Sequence, residues 1–154
     1  MKVEKLLTQL KETESYKDFR NENPDAFFCS AMFVIGDADK IDLNFFLPDK
    51  NKISSFSMPF ASLTNHPEEI KDQKEIKNMN FKIDINNLKQ EIENKTKKKF
   101  PKLIAILHNG IWNVTRLNGL DMSRITLDAY TGEIKKKDEG SLMEMVRTKK
   151  TSEQ

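Results

Sequence analysis

Leu103-Ile104-Ala105-Ile106-Leu107-His108-Asn109-Gly110-Ile111-Trp112-Asn113-Val114 is the stretch that decides the fold. Two runs of β-favouring residues flank an Asn-Gly pair. A two-residue type I′ turn needs positive φ at both central positions, and Asn-Gly meets that need. The stretch predicts a β-hairpin. Towards the C-terminus, Asn118-Gly119 marks a second turn and Met122–Ala129 a third strand. Thr131-Gly132 marks one more turn before Glu133-Ile134. Towards the N-terminus, Asp84 is a natural N-cap. Ile85, Leu88 and Ile92, extended by Phe100, lay a narrow apolar stripe at helical spacing before Pro101. Residues 81–147 therefore read as a helix, a meander and a short terminal helix at 141–147. Residues 148–154 read as a frayed tail.

The preceding residues repeat this order. Val3, Leu6, Leu7 and Leu10, extended by Tyr16 and Phe19, predict one amphipathic helix over residues 3–20. Pro24 ends it, because the residue before a proline is pushed away from helical geometry. Ala26–Ile35, Ile41–Leu47 and Ile53–Met58 read as strands. Turns at Gly36–Asp39 and Pro48–Asn51 separate them. Ile41, Leu43, Phe45 and Leu47 alternate with Asp42 and Asn44, as a half-buried strand should. Residues 59–80 show little periodicity and read as a connector with one helical turn. At about 20 residues they exceed the usual connection within one compact unit. The expected fold is α+β: two tandem αβββ units, 1–58 and 81–147, packed together. The repeat is structural, since the halves share few identities.

The 154 residues suffice for one globular domain or two very small ones. The 26 Lys+Arg and 24 Asp+Glu leave a net charge of +2, which excludes a globally basic nucleic-acid protein and an acidic disordered tail protein. That total is a cancellation. Residues 1–80 hold 11 basic and 14 acidic residues (−3), and residues 81–154 hold 15 and 10 (+5). No apolar run approaches the roughly 18 residues that span a bilayer. Glu4 and regularly spaced polar residues leave no signal-peptide core. The expected setting is cytoplasmic, without membrane contact. The single cysteine, Cys29, cannot form an internal disulfide or a Cys-rich zinc site, and its apolar neighbours make it a small buried hydrophobe.

Residues 81–137 resemble the PepSY domain, one of the cystatin-like α+β folds. The resemblance rests on a capped helix, a three-stranded meander and Trp112-Asn113-Val114 in the middle strand. Its most distinctive part is the closing Asp128-Ala129-Tyr130-Thr131-Gly132-Glu133-Ile134, matching the family's DA-x-TG-E pattern. The motif has a physical account: Asp128 and Thr131 bond local backbone, and Gly132 supplies a positive φ. The resemblance implies a non-enzymatic module with no catalytic residues to carry over. In the family such domains occur in protease propeptides and in secreted or membrane-attached proteins, with protease inhibition or chaperone-like roles proposed.

Little in the sequence points to catalysis. His66 and His108 lie in different halves and share no ligand spacing with an acid, so no metal is expected. Asp37, Asp39 and Asp42 crowd one turn without the EF-hand order. Neither a P-loop nor GxGxxG is present. No cofactor is expected. Lys97, Lys98, Lys99, Arg116, Arg124, Lys135, Lys136 and Lys137, with Lys102, are a candidate basic patch. Trp112 and Tyr130 are too few aromatics for an RNA platform, and nucleic acid ranks below a protein partner. Trp112 reads as core.

The strands carry apolar residues on both faces. Strict alternation puts Phe27, Cys29, Ala31, Phe33 and Ile35 on one face and Phe28, Met32 and Val34 on the other. Ile104, Ile106 and Ile111 lie opposite Leu103, Ala105, Leu107, Trp112 and Val114. One face packs on the helices, and the other needs a cover. Phe28, Met32, Val34, Ile104, Ile106 and Ile111 are the candidate interaction surface. The sequence therefore favours a non-enzymatic protein-binding or regulatory module, with another protein or a second copy of the chain as partner. The alternative is a small-ligand binder or enzyme with a pocket between helix and curved sheet. A weak nucleic-acid binder comes third.

Overall fold

The computed structural model of the chain describes residues 1–36 and 39–141. Its helices are α1 (Val3–Lys11), α2 (Glu14–Glu22) and α3 (Ile85–Thr96). Its strands are β1 (Phe27–Ile35), β2 (Lys40–Leu47), β3 (Lys52–Met58), β4 (Ser62–Asn65), β5 (Lys102–His108), β6 (Ile111–Asn118), β7 (Asp121–Asp128) and β8 (Ile134–Ser141). All eight join one sheet in the order β4-β3-β2-β1-β5-β6-β7-β8, with every neighbouring pair antiparallel. The order is palindromic. Two meanders run outward from a central seam where β1 pairs β5, with Met32 opposite Ile106 and Phe33 opposite Ala105.

The α+β class and the antiparallel meanders agree with the sequence. Each meander, however, has a fourth strand. β4 falls inside residues 59–80, where a connector with one helical turn is expected, and the remainder of that segment contains no helix. β8 runs through the charged residues after Ile134. The expected 141–147 helix and 148–154 tail, like Asp37, lie outside the described residues. The expected helix over 3–20 is two helices. Thr13 breaks it: its hydroxyl donates to Leu10 O at 2.6 Å and accepts from Tyr16 N at 3.2 Å, so it caps α2 where α1 ends.

The helices share one face of the sheet. Val3, Leu6, Leu7 and Leu10 of α1, Tyr16 and Phe19 of α2, and Leu88 and Ile92 of α3 enter a single core. The sheet contributes every second residue: Ala31, Phe33, Leu43, Phe45, Phe56, Leu103, Ala105, Leu107, Trp112, Val114, Ile125 and Leu127. Each large side chain contributes about 1.5–3 kcal/mol by leaving water. Phe19 lies edge-on to Phe56 at 5.2 Å and to Phe45 at 5.8 Å, an arrangement aromatic quadrupoles favour. Trp112 is fully buried and its Nε1 donates to Ile83 O at 2.8 Å, which fixes the approach to α3.

One register break matters for function. β1 carries a bulge between Phe28 and Ser30, where it pairs β2. The extra residue reverses the alternation on its N-terminal side. Phe28 therefore turns into the helix-side core at 6% exposure, against Phe45. Phe27 turns to the opposite face and packs on Phe46. The expected placement of Phe28 on the outer face is corrected accordingly.

The closing motif folds as its residues predict. Asp128 Oδ1 accepts from Tyr130 N at 2.8 Å and Thr131 N at 3.1 Å. Thr131 Oγ1 accepts from Glu133 N at 3.2 Å, and Gly132 has φ +79°.

Candidate functional site

The face away from the helices is the candidate site. Among the described residues no helix covers it. At its centre lie Met32 and Val34 of β1 and Ile104 and Ile106 of β5, joined by the pairs Met32–Ile106 and Val34–Ile104. Ile106 is 39% exposed, and the other three are half-buried. Ile111, also half-buried, sits opposite His108 at the next hairpin. Five of the six candidate surface residues therefore share this face, and Phe28 does not.

Beside the apolar centre runs a polar network across β1, β2 and β3. Asn44 Nδ2 donates to Ser30 Oγ at 2.9 Å. Asn44 Oδ1 then accepts from Ser55 Oγ at 2.6 Å, which commits the serine proton. His66 Nε2 lies 2.9 Å from Ser55 Oγ and must donate to it. This is the reverse of an activated serine, whose proton points at the imidazole. Asp42 accepts from Ser57 Oγ at 2.6 Å and faces Lys40 at 3.5 Å. These polar groups are satisfied by one another, which explains how Ser55 and Asp42 sit nearly buried on an outer face.

The chain after β4 straps one end of this face. His66 N bonds Ile53 O, and Ile70 N bonds Asn51 O at 2.8 Å. Gln73 Oε1 meets His108 Nε2 at 2.7 Å. Ile76 then rounds the sheet, with its N–H on Phe28 O at 2.9 Å and its side chain in the core. A cleft of about 370 Å³ opens between this strap and the sheet, lined by Ser30, Asn44, Ser55, His66 and Gln73. The pairing of His66 with Ser55 leaves no trace in local sequence, because the two meet only through the unpredicted β4.

Other candidates divide differently. Cys29 is buried in the bulge with Sγ 3.6 Å from Asn44 O. Burial pushes its thiol up to about 11, so the thiolate is disfavoured. The basic residues do not gather on one face. Arg116 is a correction: it is 1% exposed, with its guanidinium bonded to Thr96 Oγ1 at 2.8 Å and Ser123 Oγ at 2.9 Å, under the Phe100 ring at 4.4 Å. Lys97, Lys98 and Lys99 follow α3 on the helix side. Arg124 pairs Asp138 in register on the outer face, and Lys135, Lys136 and Lys137 lie on the edge strand β8. Among the described residues no three His, Cys, Asp or Glu converge as metal ligands, and no helix is long and apolar enough to cross a membrane.

A second cavity lies on the helix side. Leu6, Phe33, Ile35, Ile41, Met58 and Ile85 line an apolar cleft of about 410 Å³ at the strand ends, beside the starts of α1 and α3.

No family model matches the sequence, and no curated protein is similar enough to register. Among solved structures the fold is similar to that of a putative lipoprotein from Clostridium difficile 630. The TM-score is 0.52 at 9% identity, over 82% of this chain and 91% of that one. At that identity the likeness concerns the fold alone.

Proposed function

We propose that the chain is a non-enzymatic protein-binding module that docks its partner on the outer sheet face. The observation that carries this reading is the apolar centre, Met32, Val34, Ile104 and Ile106, lying at the middle of an eight-stranded sheet on the face no described helix covers. Apolar groups flanked by satisfied polar ones match the usual composition of an interface core and rim. The hydrogen-bond direction at Ser55 supports binding over catalysis. We read the palindromic strand order as two units related by internal duplication, and the turn geometry of Asp128–Glu133 supports a PepSY-like character for the second of them.

The test is site-specific photo-crosslinking from position 106 in the native host. It is followed by reconstitution with the purified partner. Met32→Asp with Ile106→Asp is expected to weaken that complex at least tenfold while leaving the melting temperature within a few degrees. Equal affinity in the double variant overturns the reading.

A second reading rests on the helix-side cleft, whose volume lies in the range of ligand pockets. A thermal-shift screen against metabolites separates the two: a shift abolished by Met58→Trp supports a small-molecule binder.

A further inference from the structure

The two edges of the sheet are built in opposite ways. β8 carries Lys135, Lys136, Lys137 and Asp138, and charges of that kind discourage another strand from pairing. β4 carries none: residues 53–65 contain no charged side chain at all. All four residues of β4 are exposed, Leu63 at 40%, and the neighbouring Phe60 is 88% exposed.

The backbone of β4 is available in a defined way. His66 N donates inward to Ile53 O at 3.0 Å. Antiparallel pairing alternates residues that bond one neighbour and the other. Ser62 and Thr64 therefore bond inward with His66, and the N–H and C=O groups of Leu63 and Asn65 point outward. A cleft of about 350 Å³ lies against this edge on the helix side, between β4 and α2. Phe19, Leu47, Ile53, Leu63 and Pro67 form its apolar part, with Ser54 and Asn65 beside them. Lys50 and Lys52 line it together with Glu22, so the cleft has both signs of charge and no strong demand for either.

We propose that β4 and this cleft form a strand-addition site for an uncharged, extended peptide segment. The segment pairs with the outward groups of Leu63 and Asn65 and sets a large apolar side chain against Phe19 and Leu47. Main-chain bonds supply affinity in such sites, and the pocket for alternate side chains supplies specificity. A second copy of the chain is the weaker fit. A two-fold β4–β4 pair joins only four residues per copy, far short of the area of a stable dimer, and brings together two halves of net charge −3. This site is distinct from the outer-face surface, so either can fail alone.

The experiment pans a random dodecapeptide library on the full chain and measures the enriched peptides by fluorescence polarisation and amide hydrogen exchange. Enriched peptides with alternating apolar residues are expected to slow exchange at Leu63 and Asn65. Leu63→Pro deletes an outward N–H while sparing the β3–β4 ladder, and is expected to weaken binding at least tenfold. Exchange on the wild-type chain reports the site even if that variant misfolds. The proposal is overturned if no peptide is enriched. It is equally overturned if enriched peptides leave exchange at Leu63 and Asn65 unchanged, or bind a folded Leu63→Pro variant equally well. Concentration-dependent protection of these amides without peptide would assign the edge to a second copy, which also overturns it.

Discussion

The carboxylate of Asp84 accepts the backbone N–H of Val3 at 2.9 Å, across 81 positions of sequence. The same Oδ1 accepts Ile85 N at 2.7 Å, and Asn87 Oδ1 completes a capping box by accepting Asp84 N at 2.8 Å. One buried carboxylate thus serves the positive ends of two helices, α1 and α3. α1 has no other side-chain cap, since Lys2 occupies its N-cap position.

Asp84→Ala is accordingly expected to cost more than an ordinary cap. A cap is worth about 1 kcal/mol, and a second buried N–H left unpaired costs about 1–3 kcal/mol. A total loss of about 2–4 kcal/mol should appear in urea denaturation. Asp84→Asn keeps an acceptor and should recover part of it.

Gly110 lies under the Tyr130 ring. A Cβ there would come within 2.7 Å of the ring, and its φ of +72° already disfavours other residues. Gly110→Ala should destabilise the chain by roughly 1–3 kcal/mol. Tyr130→Leu removes the clash but leaves the backbone strain, so the double variant should fall short of additive. A thermal-denaturation cycle of the four proteins measures this.

The Asn-Gly turn, the Asp84 cap and the closing motif were all legible in the sequence, because each is decided by residues within a few positions. The same holds for the Ile41–Leu47 alternation. Three features were not. β4 is four residues of Ser, Leu, Thr and Asn, too short to show a period, and its pairing with β3 depends on the preceding strand. The Cys29 bulge cannot be read from alternation, since an inserted residue makes both parities look apolar. Arg116 has the sequence of a surface cation, and it is tertiary contacts such as those with Thr96, Phe100 and Ser123, drawn from three other segments, that bury it. Of the candidate site, the apolar centre was visible and the Ser55–His66 contact was not.

Stability should decline in alkali through Cys29. Burial raises its thiol from 9.0 to about 11, so the unfolded chain loses the proton first. The contribution is complete below about pH 9 and is lost as pH rises towards 11. Its size is on the order of 2–3 kcal/mol. Tyr130, raised by burial and by Asp128, adds in the same direction from pH 10 upward. Urea midpoints at pH 8, 9, 10 and 11 check this, and Cys29→Ala should flatten the curve between pH 9 and 10.

Ser55 should resist serine-directed reagents. Its proton is held by Asn44, and His66 donates to its oxygen. Incubation with a fluorophosphonate at neutral pH should leave the intact mass unchanged. Stoichiometric labelling at Ser55 would reverse the assigned hydrogen-bond direction.

The β1–β5 seam has a consequence for how the chain can be divided. Each meander presents its first strand to the other, and that strand is the more apolar of the meander's two edges. A fragment ending after residue 66 would bare the edge of Phe27–Ile35, and one starting near residue 74 would bare that of Lys102–His108. Each fragment is the natural cover for the other's sticky edge. The chain is thereby suited to fragment complementation, in which two separately expressed pieces report their encounter by rebuilding one sheet.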